Sequence, residues 1–193
     1  MTSWLLPLLG YLCGSVPFGL LVAKRLRGVD VRAVGSGNIG ATNVVRAAGR
    51  KIGLVVLLLD ALKGALPVLL TQWLVPGDLR LASLVGLAAV LGHVFPVWLR
   101  LRGGKGVATA AGVLLVLAPW AALAGALTYG LLLARFRTSS IASLFGALTA
   151  LAMAWLGPVS RESAWLVTVL VLLILWAHRA NLRRLLARAE NRF

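Results

Sequence analysis

Long apolar stretches alternate along the chain with short segments of charged and polar residues. A transmembrane helix needs about 20 mainly apolar residues, so each stretch near this length predicts a membrane-spanning helix. The stretches are Trp4–Ala23, Ile52–Val75, Leu81–Leu99, Val107–Ala134, Ile141–Leu156 and Ala164–Ala177. This pattern predicts a bundle of transmembrane helices joined by polar connections.

The stretch Val107–Ala134 is too long for one crossing. As a single helix it would measure about 42 Å, whereas the hydrocarbon core is about 30 Å thick. Pro119 and Trp120 lie at its middle, and basic residues flank it at both ends. Because both basic flanks belong on the cytoplasmic side, the stretch should cross twice and turn near Pro119. We therefore expect seven transmembrane helices.

The basic residues predict the orientation of the bundle. When the connections are assigned to alternate sides, 17 of the 20 Lys and Arg residues fall on one side. Arg80 and Arg161 fall on the other, and Lys63 lies within a helix. Cytoplasmic loops carry the excess of Lys and Arg. The N-terminus is therefore expected outside and the C-terminus in the cytoplasm.

The C-terminal tail, His178–Phe193, has a helical pattern of its own. Leu182, Leu185, Leu186 and Ala189 recur at helical spacing, and the arginines between them face elsewhere. This pattern predicts an amphipathic helix at the cytoplasmic membrane surface.

Composition and charge narrow the class of protein. The chain is 60% hydrophobic and 13% charged, whereas soluble domains are about 45–50% apolar and about 25% charged. We therefore predict an all-α integral membrane protein, with residues 1–193 as a single transmembrane domain. The net charge is +15, and the basic residues cluster in the short connections between apolar stretches. This placement is typical of residues that orient a protein in the membrane and contact anionic lipid. We therefore expect no nucleic-acid partner.

The first polar segment, residues 35–49, reads GSGNIGATNVVRAAG. We interpret it as a flexible loop whose glycines let the backbone turn its N–H groups toward one point. Arg46 adds a planar guanidinium that can bind an oxyanion through two hydrogen bonds. The other candidate ligands in this segment are Ser36, Gly37, Asn38, Thr42 and Asn43.

The second polar segment, residues 102–109, reads RGGKGVAT. Gly103, Gly104 and Gly106 surround Lys105, and an apolar helix should begin directly after them. A glycine nest, a lysine and a helix N-terminus together favour an anion such as phosphate. The segment is not a Walker loop, because Gly106 follows Lys105 where that motif requires Ser or Thr.

A third polar cluster combines His178, Arg179 and Asn181. Positions 178 and 181 share one helix face. His178 could act as a general base, as a proton donor or as an orienting group, and the sequence leaves these roles open. Ser143, near the start of the sixth of the seven predicted helices, could cap that helix or reach the site.

Asp60, Lys63 and His93 are ionisable residues that fall inside predicted helices. Asp60 and Lys63 are spaced i, i+3, which predicts a neutralising pair that faces the bundle. His93 precedes Pro96 by three residues, and we expect it to stabilise the bend there by bonding to freed backbone groups.

The sequence lacks any obvious metal-binding motif or activated nucleophile. The polar clusters, all expected on the cytoplasmic face, therefore predict a site that binds and positions anions without metal or covalent chemistry. Two other classes stay open. A carrier of organic phosphates would also use basic glycine loops, although its site should lie near the midplane. A protein that only binds anionic lipid would need the charges but not the asparagines.

Four stretches together resemble one family: GSGNIGATNVVRAAG, GHVFPVWLRLRGGKGVAT, SLFGAL and HRANLRRLL. Their content and order are similar to the membrane-bound, acyl-phosphate-dependent glycerol-3-phosphate acyltransferases of bacteria. The resemblance covers nearly the whole chain. Members of that family often carry a glycine near position 188, where this chain has Arg188.

The resemblance implies acyl transfer from acyl phosphate to the 1-hydroxyl of glycerol 3-phosphate in the bacterial inner membrane. Lysophosphatidic acid would be the product, and no cofactor is implied. The implied catalytic set is Ser36, Arg46, Lys105, His178 and Asn181. The glycines around Lys105, with Thr42 and Asn43, would cradle a phosphate, and Ser143 is a further candidate.

The resemblance also bears on the proton acceptor and on partners. Either His178 or a substrate phosphate could take the hydroxyl proton, and the family inclines the assignment toward the phosphate. A contact with the soluble enzyme that makes acyl phosphate stays open.

Overall fold

The structure is a computed structural model in which residues 4–191 are described. That part of the chain contains α-helices and two short 3₁₀ helices but no β-strand, so the predicted all-α class is confirmed. Arg192 and the last residue of the predicted tail helix, Phe193, lie outside the described residues. The helices are α1 (Leu5–Ser15), α2 (Phe18–Arg27), α3 (Ala41–Ala48), α4 (Arg50–Leu74), α5 (Leu79–Val94), α6 (Val107–Leu117), α7 (Pro119–Phe136), α8 (Ser139–Leu156), α9 (Arg161–Ala177) and α10 (Arg179–Leu186), with 3₁₀ helices at Val31–Ala33 and Val97–Leu99.

Four helical segments in the described part are long and apolar enough to cross a membrane. They are Leu5–Arg27, Arg50–Leu74, Leu79–Leu99 and Ser139–Leu156. A fifth is reached if α9 and α10, which meet at a bend of 55°, count as one span. The membrane class is therefore confirmed, while the number seven and the orientation of the termini stay predictions.

Prolines interrupt two of the apolar stretches. The first stretch is divided at Val16 and Pro17, between α1 and α2. The long stretch is divided at Ala118, and Pro119 is the first residue of α7. Proline fits this position because an N–H group at the first residue of a helix has no intrahelical acceptor, so its absence costs no hydrogen bond.

The first polar segment is a loop only in its first half. We expected a flexible loop over residues 35–49, but Ala41–Ala48 forms helix α3, so the expectation is wrong for that half. Val44 and Ala48, one helical turn apart, are buried against a core that includes Ile39 and Val56. Burial of this apolar face stabilises a helix despite the glycines on both sides of it.

The chain divides into two compact units, Met1–Val113 and Leu114–Phe193. In the N-terminal unit, helices pack so closely that a Cβ at Gly14 would collide with the Ala89 carbonyl, and one at Gly64 with the Thr109 carbonyl. In the C-terminal unit, α7 and α8 approach at Gly125 and Gly146. Small residues permit such close contact between membrane helices. That residues 1–193 act as one domain stays a prediction.

Candidate active site

The first polar segment is organised by the buried amide of Asn43. Its Oδ1 accepts the N–H of Ser36 at 3.0 Å. Its Nδ2 donates to the carbonyls of Val31, Val34 and Asn38 at 2.7, 3.0 and 2.9 Å. Because these bonds occupy both ends of the amide, Asn43 shapes the loop from within.

The backbone N–H groups of this segment are used inside the loop. Gly37 N–H donates to the Val34 carbonyl at 3.1 Å, and Gly40 N–H donates to Asn38 Oδ1 at 2.8 Å. The expected nest of converging N–H groups is therefore not what the structure has here. Gly35 is needed for a different reason: its φ is +58°, and a Cβ would lie 2.6 Å from Asn43 Oδ1.

Three polar side chains of the first segment, which the sequence analysis named as candidates, are half-buried. Ser36 is half-buried beside the turn. Thr42 and Arg46 lie four residues apart on α3, which places them on one face, and both are half-buried. The stem of Arg46 passes Gly35, with its Cδ 3.5 Å from where a Cβ would be.

The second polar segment folds back onto the end of α5. Gly103 N–H donates to the Val94 carbonyl at 3.1 Å, and Gly104 N–H donates to the His93 carbonyl at 3.0 Å. These two N–H groups are therefore also paired within the protein, contrary to the nest that we expected. The half-buried Lys105 follows, then Gly106 with φ +81°, and then α6 begins at Val107. Lys105 and the start of α6 are the two features of this segment that general principles associate with anions.

A contact between Asn38 and Gly103 joins the two polar segments. Asn38 Nδ2 donates to the Gly103 carbonyl across 3.4 Å, a long hydrogen bond. The structure thus brings together, within the N-terminal unit, two segments that are 65 positions apart in the chain.

The buried residues of α4 and α5 are partly as expected. Lys63 Nζ lies 2.8 Å from Asp60 Oδ1, and both side chains are buried, so the predicted neutralising pair is confirmed. Within residues 4–191, Nδ1 of His93 has no hydrogen-bond partner, so it does not bond to the bend at Pro96 as we expected. Tyr11 does so instead, because its hydroxyl donates to the Phe95 carbonyl at 2.8 Å. The Nδ1 of His93 faces Asp60 Oδ1 at 3.7 Å.

In the C-terminal unit, His178 is buried at the bend between α9 and α10. Its Nδ1 lies 2.8 Å from the Ile174 carbonyl. A carbonyl can only accept, so Nδ1 carries the proton and the lone pair of the neutral ring lies on Nε2. This fixes the tautomer that a base or an orienting group would use.

Asn181 is buried one turn later and faces an acid that the sequence analysis missed. Its Nδ2 donates to Glu190 Oε1 at 2.8 Å, and Arg184 Nε donates to Glu190 Oε2 at 3.0 Å. Glu190 is the one acidic residue in the sequence 178–193, a signal that could have singled it out. Within residues 4–191, the buried Oδ1 of Asn181 has no hydrogen-bond partner.

Ser143 is buried in the second turn of α8, which begins at Ser139. It therefore does not cap the helix, as we had allowed; Thr138 occupies the cap position. In residues 4–191, no three His, Cys, Asp or Glu side chains are grouped as metal ligands would be. That the reaction needs no metal stays a prediction.

The sequence profile of the glycerol-3-phosphate acyltransferase family matches residues 4–188. The chain belongs to the glycerol-3-phosphate acyltransferase family. A glycerol-3-phosphate acyltransferase of Myxococcus xanthus is 59% identical over all of both chains. One of Anaeromyxobacter sp. (strain Fw109-5) is 52% identical over 95% of this chain and 92% of its own.

Two crystal structures agree with this membership of the acyltransferase family. Both are of PlsY, an integral membrane glycerol 3-phosphate acyltransferase, in its glycerol 3-phosphate form and its lysophosphatidic acid form. The first has a TM-score of 0.94 and 40% identity, covering 100% of this chain and 96% of its own. The second has a TM-score of 0.93 and 39% identity with the same coverage.

One departure from the family pattern has a structural counterpart. Helix α10 ends with Ala189 N–H donating to the Arg184 carbonyl at 2.8 Å and Arg188 N–H donating to the Leu185 carbonyl at 3.0 Å. This is a Schellman ending, which places a residue in the left-handed region. Arg188 takes that conformation, with φ +54°, near the place where the sequence resemblance led us to expect glycine.

Proposed function

We propose that this chain transfers an acyl group from acyl phosphate to the 1-hydroxyl of glycerol 3-phosphate, giving lysophosphatidic acid and inorganic phosphate. Membership of the acyltransferase family is the starting point. The observation that carries the proposal is the Asn38–Gly103 contact, because it holds two anion-binding segments together where two phosphorylated substrates must be bound.

The reaction is a direct displacement. The hydroxyl oxygen of glycerol 3-phosphate attacks the acyl carbonyl carbon, the bond from that carbon to the phosphate oxygen breaks, and inorganic phosphate leaves. Acyl phosphate is a mixed anhydride and is already activated, so no covalent intermediate on the protein, cofactor or metal is invoked.

In this proposal two basic side chains supply charge. Lys105 and Arg46 bind phosphate oxygens and stabilise the oxyanion that develops on the acyl carbonyl, with the start of α6 and the hydroxyls of Ser36 and Thr42 adding donors. Loss of one such donor costs about 2.7–4 kcal/mol of transition-state stabilisation, or about 10²–10³ in rate. Gly37, Asn38, Asn43, Gly103, Gly104 and Gly106 shape the two segments.

Asn181 and His178 are proposed to handle the hydroxyl of glycerol 3-phosphate. The buried Oδ1 of Asn181 has no hydrogen-bond partner within residues 4–191, which suits it to accept a bond from a substrate hydroxyl. His178 Nε2, with its tautomer fixed by Ile174, orients the same hydroxyl. We assign the proton itself to a substrate phosphate, with His178 as the alternative acceptor. Ser143 is a further binding candidate.

The proposed location is the bacterial inner membrane with the site on the cytoplasmic side. The distribution of Lys and Arg along the sequence supports this orientation. Membrane lipid is then the medium of both the acyl donor and the product. A partnership with the soluble enzyme that makes acyl phosphate stays a prediction.

The deciding experiment measures the product directly. The purified protein, in detergent or lipid, receives glycerol 3-phosphate with either palmitoyl phosphate or palmitoyl-CoA, each with and without EDTA. We expect lysophosphatidic acid from palmitoyl phosphate alone and no effect of EDTA. Product from palmitoyl-CoA only would overturn the proposed donor. No product from either donor, with a correctly folded protein, would favour a carrier of organic phosphates.

Two variants test the proposed roles. Lys105→Arg keeps the charge but not its shape, so a fitted phosphate site should lose activity while simple binding to anionic lipid vesicles should survive. His178→Ala should lose activity whether His178 orients the hydroxyl or takes its proton. A His178→Ala enzyme with an unchanged kcat and unchanged KM values would remove His178 from both roles.

A further inference from the structure

A buried cluster of three ionisable residues lies outside the proposed chemistry. Asp60 and Lys63 are on α4, His93 is on α5, and each side chain is at most 4% exposed. Ionisable groups buried in membrane helices are costly and mark structural or functional sites. The question is what this cluster holds in place.

Lys63 connects the cluster to the break between α1 and α2. Its Nζ donates to the Val16 carbonyl at 2.8 Å and lies 5.7 Å from the centre of the Phe18 ring. Together with Asp60 Oδ1 at 2.8 Å, these contacts surround the ammonium group. The same Oδ1 of Asp60 lies 2.8 Å from Lys63 Nζ and 3.7 Å from His93 Nδ1, so Asp60 faces His93 as a nearby charge and not as a hydrogen-bond partner.

His93 connects the cluster to the second polar segment. A Cβ on Gly104 would collide with the Nε2, Cε1 and Cδ2 atoms of the imidazole, so the backbone of Gly104 lies directly on the ring. The His93 carbonyl also accepts the Gly104 N–H at 3.0 Å. Lys105 is the next residue in the chain. The position of the imidazole ring therefore constrains the backbone directly before Lys105.

We propose that Asp60, Lys63 and His93 form a positioning device for Lys105. Asp60, held by Lys63, fixes the imidazole of His93, and the ring fixes the Gly103–Gly104 backbone. None of the three touches substrate in this assignment; they act through Lys105. The inference rests on the proposed function, because a displaced lysine matters only if it binds a substrate phosphate. A misplacement of about 1 Å in such a group costs about 10²-fold in rate.

The alternative is that Asp60 and Lys63 only neutralise each other and do not affect Lys105. Replacing both members of a buried pair by neutral groups of similar volume is often neutral or stabilising. The double variant Asp60→Asn/Lys63→Met should therefore fold, and a pair that only neutralises itself would leave the activity unchanged. The positioning device predicts instead a folded protein with slow turnover.

The experiment compares that double variant with two changes at His93. His93→Phe keeps the ring that Gly104 packs on but removes the nitrogen that faces Asp60. His93→Asn keeps an N–H near the position of Nδ1 and should retain more activity than His93→Phe. Thr71→Val is the matched control, because Thr71 is buried in α4 and its hydroxyl donates to the Pro67 carbonyl of the same helix.

Two measurements are made on each variant: kcat and KM with acyl phosphate and glycerol 3-phosphate, and amide hydrogen exchange over residues 102–106. We expect kcat to fall about 10–100-fold in the double variant and in His93→Phe. The Gly103 and Gly104 amides should exchange faster in both. Combining the two sets of changes should cost little beyond the larger single effect, since they break one chain of contacts. Thr71→Val should match the wild type.

Two outcomes separate this inference from the proposed function. Suppose that the wild type makes lysophosphatidic acid and that Lys105→Ala is impaired. If Asp60→Asn/Lys63→Met then keeps the wild-type kcat and the wild-type amide hydrogen exchange, the positioning device is wrong and the proposed function stands. If the wild type makes no product, the function fails, and unchanged exchange in the variants would overturn the device separately. If the double variant fails to fold, His93→Phe and His93→Asn decide by the same criteria.

Discussion

Asn181 and Glu190 are joined by a hydrogen bond of 2.8 Å that closes the tail of the protein back onto the end of α10. The bond determines which way the amide of Asn181 points. Since the carboxylate can only accept, Nδ2 faces Glu190 and Oδ1 is left for another donor. Glu190 therefore orients the Asn181 oxygen that we propose binds the substrate.

Glu190→Ala should impair glycerol 3-phosphate use. It removes the acceptor for a buried N–H, which costs about 1–3 kcal/mol and releases the amide of Asn181 to rotate. We expect a rise in KM for glycerol 3-phosphate and a fall in kcat of about 10-fold or more, measured as lysophosphatidic acid formation. Glu190→Gln, which keeps an oxygen acceptor, should be milder.

Arg184→Gln is the matched control, because it removes the other hydrogen bond to the same carboxylate. It should change the kinetics less than Glu190→Ala does. If Arg184→Gln proves as damaging as Glu190→Ala, the ion pair rather than the Asn181 contact is what the tail contributes.

Arg188→Gly should stabilise the end of α10. Arg188 occupies the left-handed region with φ +54°, which favours glycine at this position of a Schellman ending. We expect a gain of about 0.5–1 kcal/mol, measured as a higher unfolding temperature in detergent. Ala187→Gly, one residue earlier at φ −80°, should be neutral or destabilising. Equal shifts in both variants would contradict the backbone explanation.

The sequence could predict where helices lie and where they break, from the apolar stretches and from the prolines within them. Pro119 was expected to interrupt a stretch too long for the membrane, and the helix does break there. The helix α3 was missed because Gly35, Gly37 and Gly40 suggested a loop, whereas burial of Val44 decides the conformation of the next residues. Local propensity is a weak guide where tertiary packing decides.

The candidate site was predictable as a set of residue types but not as a set of contacts. Lysine, arginine and glycine in short polar segments indicated anion binding. That Gly103 and Gly104 donate to the end of α5, and that Tyr11 rather than His93 bonds at the bend before Pro96, depends on packing between distant parts of the chain. No spacing in the sequence reports such partners.

Asp30 should stay ionised in acid. Its carboxylate accepts from the side chain and from the backbone N–H of Arg32, and this hydrogen bonding lowers the pKa of Asp30 from 3.8 to about 2. A depressed folded-state pKa contributes stability above the unfolded value, and that contribution is lost as the pH falls through the folded value. The difference in unfolding temperature between the wild type and Asp30→Asn should therefore be constant down to about pH 4 and shrink between about pH 4 and pH 2.

Arg32→Gln provides the comparison for the acid experiment. Without the guanidinium, the pKa of Asp30 should move back toward 3.8, which can be followed by the carboxyl carbon signal in NMR. A midpoint for Asp30 that does not respond to Arg32→Gln would show that another group holds the carboxylate ionised.

Asn43→Asp distinguishes a shaping role from a binding role for the most connected side chain of the first segment. The substitution keeps the size of the side chain but places an oxygen where Nδ2 now donates to three carbonyls. The resulting loss of buried hydrogen bonds should destabilise the N-terminal unit by about 2–4 kcal/mol, seen as a lower unfolding temperature.

Asn38→Asp, which keeps the acceptor for Gly40 and loses only the long bond to Gly103, should cost much less stability. If Asn43→Asp leaves the unfolding temperature unchanged and raises only the KM for glycerol 3-phosphate, then Asn43 binds the substrate directly. In that case the amide of Asn43 does not hold the loop together in the active enzyme. The assignment of Asn43 as a substrate-binding residue would then be correct, and the shaping role would be wrong.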